Sequence, residues 1–142
     1  MRKLALLLLI SIFFIGKGFT QTQQTTKFEN NQLRISAQLV DCSDRANGIY
    51  IQYQALQFEN KTNNELKVDY YKEMWFNEQC FNCEETESNQ QYNYNITLQP
   101  LQVKKGSCEA RKNRSMMVYS KHLDFESKSK LTGFNIRVLN IK

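Results

Sequence analysis

Apolar and polar residues alternate with a period of two in several parts of this chain. The segment 33–40 reads LRISAQLV, with an apolar residue at every second position from Leu33 to Leu39. The segment 92–99 reads YNYNITLQ and alternates in the same way. Such alternation is typical of a strand with one face in a core and the other in solvent. We therefore predict β-strands over both segments.

A third segment, 65–76, alternates with two exceptions. It reads ELKVDYYKEMWF, so Leu66 and Val68 begin an apolar face that continues to Phe76. Lys72 interrupts that apolar face, and Trp75 falls among the polar positions. We predict a strand here as well, with the side chain of Trp75 partly exposed.

The run 49–60, IYIQYQALQFEN, changes its parity in the middle. Apolar residues occupy odd positions up to Ala55 and even positions from Leu56 onward. A β-bulge inserts one residue and so moves the following side chains to the other face. We predict a strand with a bulge or bend near Ala55.

Two late segments, 116–125 and 131–141, complete the set of predicted strands, and no segment of comparable length has a helical stripe. Turn-rich stretches such as Asn47-Gly48 separate the strands. Six to seven antiparallel strands in about 110 residues predict an all-β fold, an immunoglobulin-like β-sandwich. A small β-barrel or a jelly roll is the alternative. The second strand has no cysteine, so the inter-sheet disulfide of antibody domains is not expected.

The first 20 residues have the features of a secretory signal peptide. A basic start, Met1-Arg2-Lys3, precedes the uncharged run 4–15, LALLLLISIFFI. That run is shorter than the roughly 20 apolar residues which span a bilayer. Small residues follow and allow cleavage after Gly18 or Thr20. We expect a secreted or periplasmic protein with no stable membrane insertion after cleavage.

Removing residues 1–20 leaves one domain that is nearly neutral. Of the 19 basic residues, Arg2, Lys3 and Lys17 leave with the signal peptide, so 16 remain against 14 acidic residues and the net charge falls from +5 to +2. Nucleic-acid binding is therefore not expected, because it requires a dense basic surface. We expect a flexible leader over 21–27 and a single β-sandwich domain over 28–142.

Strand pattern and cysteine placement together resemble a known class of protein. The elements are a short leader, "LQFENKTNNELKVDYYKEMWF", "CFNC", a strand, "GSC" and a terminal "LTGFNIRVLNI". This arrangement resembles uncharacterised small exported immunoglobulin-like β-sandwich proteins of Gram-negative bacteria. The resemblance implies the fold and the compartment, and it implies no catalytic residue.

Four cysteines in an exported chain favour two disulfides, with three possible connectivities. A bond between Cys80 and Cys83 would cross-link very little chain. We therefore expect Cys42 and Cys108 each to pair with one of those two. Such bonds would staple loops at one end of the sandwich and contribute roughly 2–4 kcal/mol each.

Metal binding and thiol redox chemistry through Cys80 and Cys83 are lesser alternatives. A redox Cys-x-x-Cys usually begins a helix, which lowers the pKa of its first thiol, and no helical pattern follows Cys83. Zinc would need further ligands such as Cys108, Cys42 or His122. We predict neither a metal site nor a cofactor.

No standard catalytic motif occurs in this chain. It has one histidine, no G-x-S-x-G elbow and no glycine-rich phosphate loop. We therefore do not expect an enzyme.

Two loops of opposite charge are the most distinctive functional signal. The acidic loop contains Glu78, Glu84, Glu85 and Glu87, and the basic loop contains Lys104, Lys105, Arg111, Lys112 and Arg114. Loops on a rigid sandwich commonly carry recognition. We predict a non-catalytic binding module whose charged loops contact an unknown protein or cell-envelope ligand. The alternative is an exported inhibitor or immunity-type protein that neutralises a toxin or hydrolase.

Overall fold

A computed structural model describes residues 23–84, 87–109 and 113–142. The predicted signal peptide therefore lies outside the described residues. The described part folds into antiparallel strands joined by tight turns and two short 3₁₀-helices, Arg45–Asn47 and Glu87–Tyr92. The strands are β1 Thr25–Glu29, β2 Leu33–Asp44, β3 Ile49–Asn60, β4 Leu66–Phe76, β5 Gln79–Cys80, β6 Asn93–Leu98, β7 Val103–Lys105, β8 Met117–His122 and β9 Leu131–Ile141.

The first sheet is built around the long β2–β3 hairpin. These two strands pair without interruption from Leu33 opposite Asn60 to Asp44 opposite Ile49. At the tip of the hairpin, Gly48 adopts a φ of 62°, a left-handed conformation that glycine reaches without a steric penalty. Strand β1 pairs with the free edge of β2, while β7 and β8 pair with different parts of the free edge of β3.

The second sheet is centred on β4. Strand β9 follows one edge of β4 almost from end to end. The other edge is shared, since β6 pairs with Leu66–Tyr71 and β5 with Trp75–Phe76. The segment 72–74 of β4 therefore lies between these two partner strands.

The hydrophobic core lies between the two sheets and follows the alternation of the sequence. On β2, for example, every second residue from Leu33 to Ala37 is fully buried. Burying a large aliphatic or aromatic side chain stabilises the fold by about 1.5–3 kcal/mol, so the inner faces supply much of the driving force. The core consists of Leu33, Ile35, Ala37, Leu56, Phe58, Leu66, Val68, Tyr70, Met74, Leu98, Met116, Val118, Phe134 and Ile136.

The prediction of an all-β sandwich is confirmed, and the described residues form no closed barrel. Within the described ranges, seven strands have five or more residues, which agrees with the six to seven expected, and the short β5 and β7 are additional. The pairing of β2 with β3 departs from immunoglobulin strand order, where the second and third strands lie in opposite sheets.

The structure corrects two details of the sequence prediction. Thr25–Lys27 belong to β1 and pair with β2, so the last part of the expected flexible leader is a strand. The bulge or bend expected near Ala55 does not lie in β3 itself, since β2 and β3 pair continuously there. The register shift on this strand lies between Gln52 and Tyr53, in the pairing with β8, and the extra residue belongs to β8. Ala55 and Leu56 are both buried because each face of β3 is covered: Leu56 joins the main core, and Ala55 a second apolar cluster on the other face.

Candidate binding pocket between the two sheets

The disulfides connect different cysteines from those expected. Cys42 pairs with Cys108, with Cα atoms 5.3 Å apart, and Cys80 pairs with Cys83, with Cα atoms 5.8 Å apart. The prediction failed because β2 continues to Asp44 and carries Cys42 onto the outer face of the first sheet. There Cys42 packs with Ala55 and Met117 against Cys108, whereas Cys80 lies on β5 of the second sheet.

The Cys80–Cys83 disulfide closes a very short loop, but this loop has a structural function. It projects Asn82 onto the edge of β4 at 72–74, between β5 and β6. The Asn82 side chain donates to the carbonyl oxygen of Lys72 at 2.7 Å and accepts from the amide of Met74 at 2.8 Å. The Asn82 carbonyl also accepts from the buried Tyr71 hydroxyl. The side chain of Asn82 thus takes the place of a neighbouring strand along this edge.

Next to Asn82, the same loop holds Phe81 on the surface. The amide of Phe81 donates to the carbonyl of Met74 at 2.8 Å, while 59% of the residue remains exposed. Its ring makes edge-on contacts with Phe76 and Tyr92, with centroids 5.9 and 5.8 Å away. The disulfide and the backbone contact together fix an exposed aromatic ring in one position.

Phe81 forms one wall of a pocket of about 390 Å³ between the sheets. The second sheet contributes β4 and β6, and the first sheet contributes β3 and β8. Volumes of about 300–1,000 Å³ are usual for small-ligand sites. The pocket is lined by Tyr53, Lys72, Met74, Phe76, Phe81, Tyr92, Tyr94, Arg114, Met117, Val118 and Tyr119.

Lys72 is the buried charge in this pocket, since it lies on the apolar face of β4 and is only 2% exposed. Its ammonium donates to the carbonyl oxygens of Arg114 and Met117, the latter at 3.3 Å. It also lies 4.1 Å from the centroid of the Tyr94 ring. Lys72 therefore ties β4 to the turn that precedes β8 and bridges the two sheets.

Burial has a strong effect on the protonation of Lys72. Loss of solvent, followed by the positive charge of Arg114, lowers the pKa of Lys72 to about 7. Burial also raises the pKa of Tyr94, which keeps this phenol neutral beside the ammonium. At neutral pH the base of the pocket thus holds an amine that is close to its protonation midpoint.

Arg114 is the second cation among the described lining residues, and it is exposed to solvent. Among the described residues, the lining contains no carboxylate and no imidazole. Its polar groups are therefore two cations and several phenol hydroxyls, surrounded by aromatic carbon.

Of the described residues in the two charged loops, only a few line this pocket. The acidic loop supplies Phe81 and the basic loop supplies Arg114, so the two loops do flank one site. Glu84 is exposed, and Glu78 lies in the β4–β5 turn with a φ of 68°.

The remaining predicted binding residues lie elsewhere or outside the described residues. The ammonium of Lys104 donates to the carbonyl of Thr97 at 2.7 Å, and that of Lys105 to the side-chain oxygen of Gln38 at 3.0 Å. No described ion pair joins the acidic loop to the basic loop. Glu85, Arg111 and Lys112, and the side chain of Glu87, lie outside the described residues.

Sequence reasoning missed Lys72 and Asn82 as members of the site. Lys72 did leave a signal, because it is a charge in the middle of an apolar strand face. Asn82 left none, since an asparagine between two cysteines is ordinary in a loop.

Two further observations concern the described residues as a whole. Among residues 23–84, 87–109 and 113–142, no group of three or more His, Cys, Asp or Glu side chains is arranged to bind a metal ion. In the same ranges, no helix is long and apolar enough to cross a bilayer.

Comparisons with known proteins add no family to this description. No protein-family model matches the chain, and no match was found among the curated proteins or the solved structures. The resemblance to small exported β-sandwich proteins therefore stays a prediction.

Proposed function

We propose that this protein is an exported, non-catalytic binding module whose ligand site is the aromatic pocket. The observation that carries the proposal is the set of partly exposed rings at one cavity, namely Tyr53, Phe76, Phe81, Tyr92, Tyr94 and Tyr119. A stable core has no need to leave so many large rings partly in water. Aromatic side chains that are held rigid and open to solvent are typical of recognition surfaces.

The construction of the pocket wall supports binding over a purely structural role. Phe81 lies in a loop that is closed by a disulfide and anchored by Asn82. A pre-ordered ring loses little conformational entropy when a ligand contacts it, which favours affinity. The Phe81 side chain is therefore held rigidly although it contributes little to the hydrophobic core.

The chemistry of the lining supports binding over catalysis. General acid–base catalysis normally pairs groups whose protonation states differ, such as a carboxylate and an imidazole. The described lining offers one amine and one guanidinium, both cationic when charged. We therefore include no reaction in the proposed function.

Fragment titration followed by ¹⁵N nuclear magnetic resonance tests this proposal. A mixed set of benzyl alcohol, benzylamine, benzoate and cyclohexanol should shift the amide signals of Phe81, Tyr92 and Tyr119. Signals from the β2–β3 hairpin tip should not move. A set in which no fragment shifts the pocket amides contradicts the proposal.

A matched pair of variants identifies the contribution of Phe81. Phe81→Ala should weaken fragment binding about fivefold to tenfold, as expected for the loss of one well-packed ring. Phe125→Ala is the control, because Phe125 is similarly exposed at 56% but stacks on His122 and is not one of the described lining residues. Equal weakening by both variants would contradict the assignment of the site.

Export is the second part of the proposal, and it is supported by the leader pattern and by the two disulfides, which form in oxidising compartments. Mass spectrometry of the protein recovered outside the cytoplasm should find a chain that begins at Phe19 or Gln21 with no free thiol. Recovery of a chain that keeps residues 1–20, or of one with four free thiols, contradicts export.

An inhibitor or immunity-type role is the second candidate function, favoured by the exposed ring on a disulfide-closed loop. Rigid loops that present one apolar side chain can fill the cleft of a partner enzyme at low entropic cost. In this case the protein should inhibit one secreted hydrolase at a ratio of one to one. Phe81→Ala should abolish that inhibition, whereas Phe125→Ala should not.

A further inference from the structure

The described residues that line the pocket carry charges of one sign. Of the described lining residues only Lys72 and Arg114 carry a formal charge, and the other nine are aromatic or aliphatic. In a cleft with low-dielectric walls, charges of one sign produce a concentrated local field. This field attracts anions and repels cations.

The two cations have different positions and therefore different functions. Lys72 lies at the base, where its ammonium already has two carbonyl acceptors and the Tyr94 ring as neighbours. In its protonated form it supplies positive potential to the pocket. Arg114 is exposed, and its planar guanidinium can donate two parallel hydrogen bonds to one carboxylate.

The rest of the lining fits an apolar body of limited size. Phe81, Phe76 and Tyr92 present ring edges and faces, and Tyr119 closes the side formed by the first sheet. A volume of about 390 Å³ accommodates one or two fused rings with a small substituent. The substituent would point towards the exposed Arg114.

We propose that the pocket binds a small organic carboxylate, with an aromatic or compact aliphatic body held among the rings and the carboxylate held by Arg114. This inference rests on the proposed function above and names its ligand class. It is carried by the single sign of the lining charges together with the aromatic walls.

Three probes of nearly equal shape test the preference for an anion. They are 2-naphthoate, 2-naphthalenemethanol and 2-naphthylmethylammonium, each titrated into the intact protein at pH 7 with detection of the pocket amides. We expect 2-naphthoate to bind with a Kd of about 1 mM or tighter, given its size. The neutral alcohol should bind about tenfold more weakly and the ammonium more weakly still, because a charge-assisted bond is lost and then replaced by repulsion.

A matched pair of variants then assigns the preference to Arg114. Arg114→Gln should reduce the affinity for 2-naphthoate to near that for the alcohol, while leaving the alcohol affinity unchanged. Because Arg114 is exposed, this substitution is not expected to disturb folding. Lys67→Gln is the control of equal charge change, since Lys67 is exposed on β4 and lies outside the described lining.

The possible outcomes separate this inference from the proposed function. Equal binding of all three probes at the pocket overturns the carboxylate preference and leaves a binding pocket. Equal weakening of 2-naphthoate by both variants overturns the role of Arg114, because it would show only general attraction to a basic surface. Absence of pocket shifts with every probe overturns both the inference and the proposed function.

Discussion

At the scale of single residues, Asn82 is the most informative position. One asparagine side chain replaces a strand at the open edge of β4 and so satisfies two backbone groups that are otherwise buried. A buried backbone group without a partner costs about 1–3 kcal/mol. The Asn82 hydrogen bonds therefore contribute more to the free energy of unfolding than the contacts of an ordinary loop residue.

Asn82→Ala should lower the free energy of unfolding by about 2–4 kcal/mol, because the Lys72 carbonyl and the Met74 amide lose their partners. Urea denaturation measures this change. Asn93→Ala, at an exposed position on β6, is the control and should change stability by less than about 0.5 kcal/mol. A similarly small effect for Asn82→Ala would contradict the role of Asn82 as a strand substitute.

The lowered pKa of Lys72 should make the stability of the protein depend on pH. Its pKa is lowered to about 7 in the folded protein from 10.5, so between these values the unfolded chain binds more protons than the folded one. Stability from this group therefore rises with pH across that window. The unfolding free energy of the wild-type protein minus that of Lys72→Met should rise by about 2 kcal/mol from pH 7 to pH 9. The wild type thus gains stability relative to the variant as the pH rises.

Lys67→Met is the matched control for this measurement. Lys67 is also on β4 but is exposed, so its replacement controls for the loss of one lysine from the same strand. A Lys72→Met difference that does not change with pH would show that burial does not shift the titration of Lys72.

At the scale of elements, β7 and β8 are held together by a close approach at Gly106. This glycine is buried, and its amide donates to the carbonyl of Leu56 at 2.8 Å. A Cβ atom at this position would lie 2.5 Å from the carbonyl oxygen of Met116. Backbone atoms cannot move aside as a flexible side chain can.

Gly106→Ala should therefore destabilise the protein by about 1–3 kcal/mol through overpacking. Gly133→Ala is the control, since its added Cβ would lie 3.9 Å from the Trp75 ring, an ordinary contact distance. Thermal denaturation of the two variants measures the difference. Equal melting temperatures would contradict the close approach at Gly106.

The long strands could be predicted from the sequence, whereas the short ones could not. Strands β3 and β9 occupy the predicted segments 49–60 and 131–141. Runs of this length show the alternation of a strand even where, as in β3, its parity changes once. Strands β5 and β7 have two and three residues, too few to show any alternation. Their positions are decided by which edges of β3 and β4 remain open.

The pocket could be predicted only in fragments for a related reason. Phe81 and Arg114 belong to loops that the charge pattern marked, and Lys72 was visible as a charge on an apolar face. Their meeting depends on the stacking of two sheets and on the Cys80–Cys83 pairing. Neither has a local signal in the sequence.

At the scale of the whole molecule, the two disulfides contribute to different properties. The Cys42–Cys108 bond joins residues 66 positions apart, whereas Cys80–Cys83 joins residues three positions apart. The entropy removed from the unfolded chain grows with the length of the closed loop. The longer loop should therefore dominate stability, and the shorter one should mainly order the Phe81 loop.

Replacing Cys42 and Cys108 together by serine should lower the free energy of unfolding by about 4 kcal/mol, compared with about 2 kcal/mol for Cys80 and Cys83. The second pair should nevertheless cause the larger loss of fragment binding. Urea denaturation and fragment titration of both double variants check this reversed order. The same ranking in both measurements would contradict the division of roles.

The central claim is that ligands bind between the sheets, beside the disulfide-closed loop. Crystals of the protein soaked with 4-bromobenzoate test it most directly, because anomalous scattering locates the bromine atom. We predict one bromine peak among Phe81, Tyr92 and Tyr119, with the carboxylate directed to Arg114. A peak only at another surface, or no peak at saturating concentration, would contradict the claim.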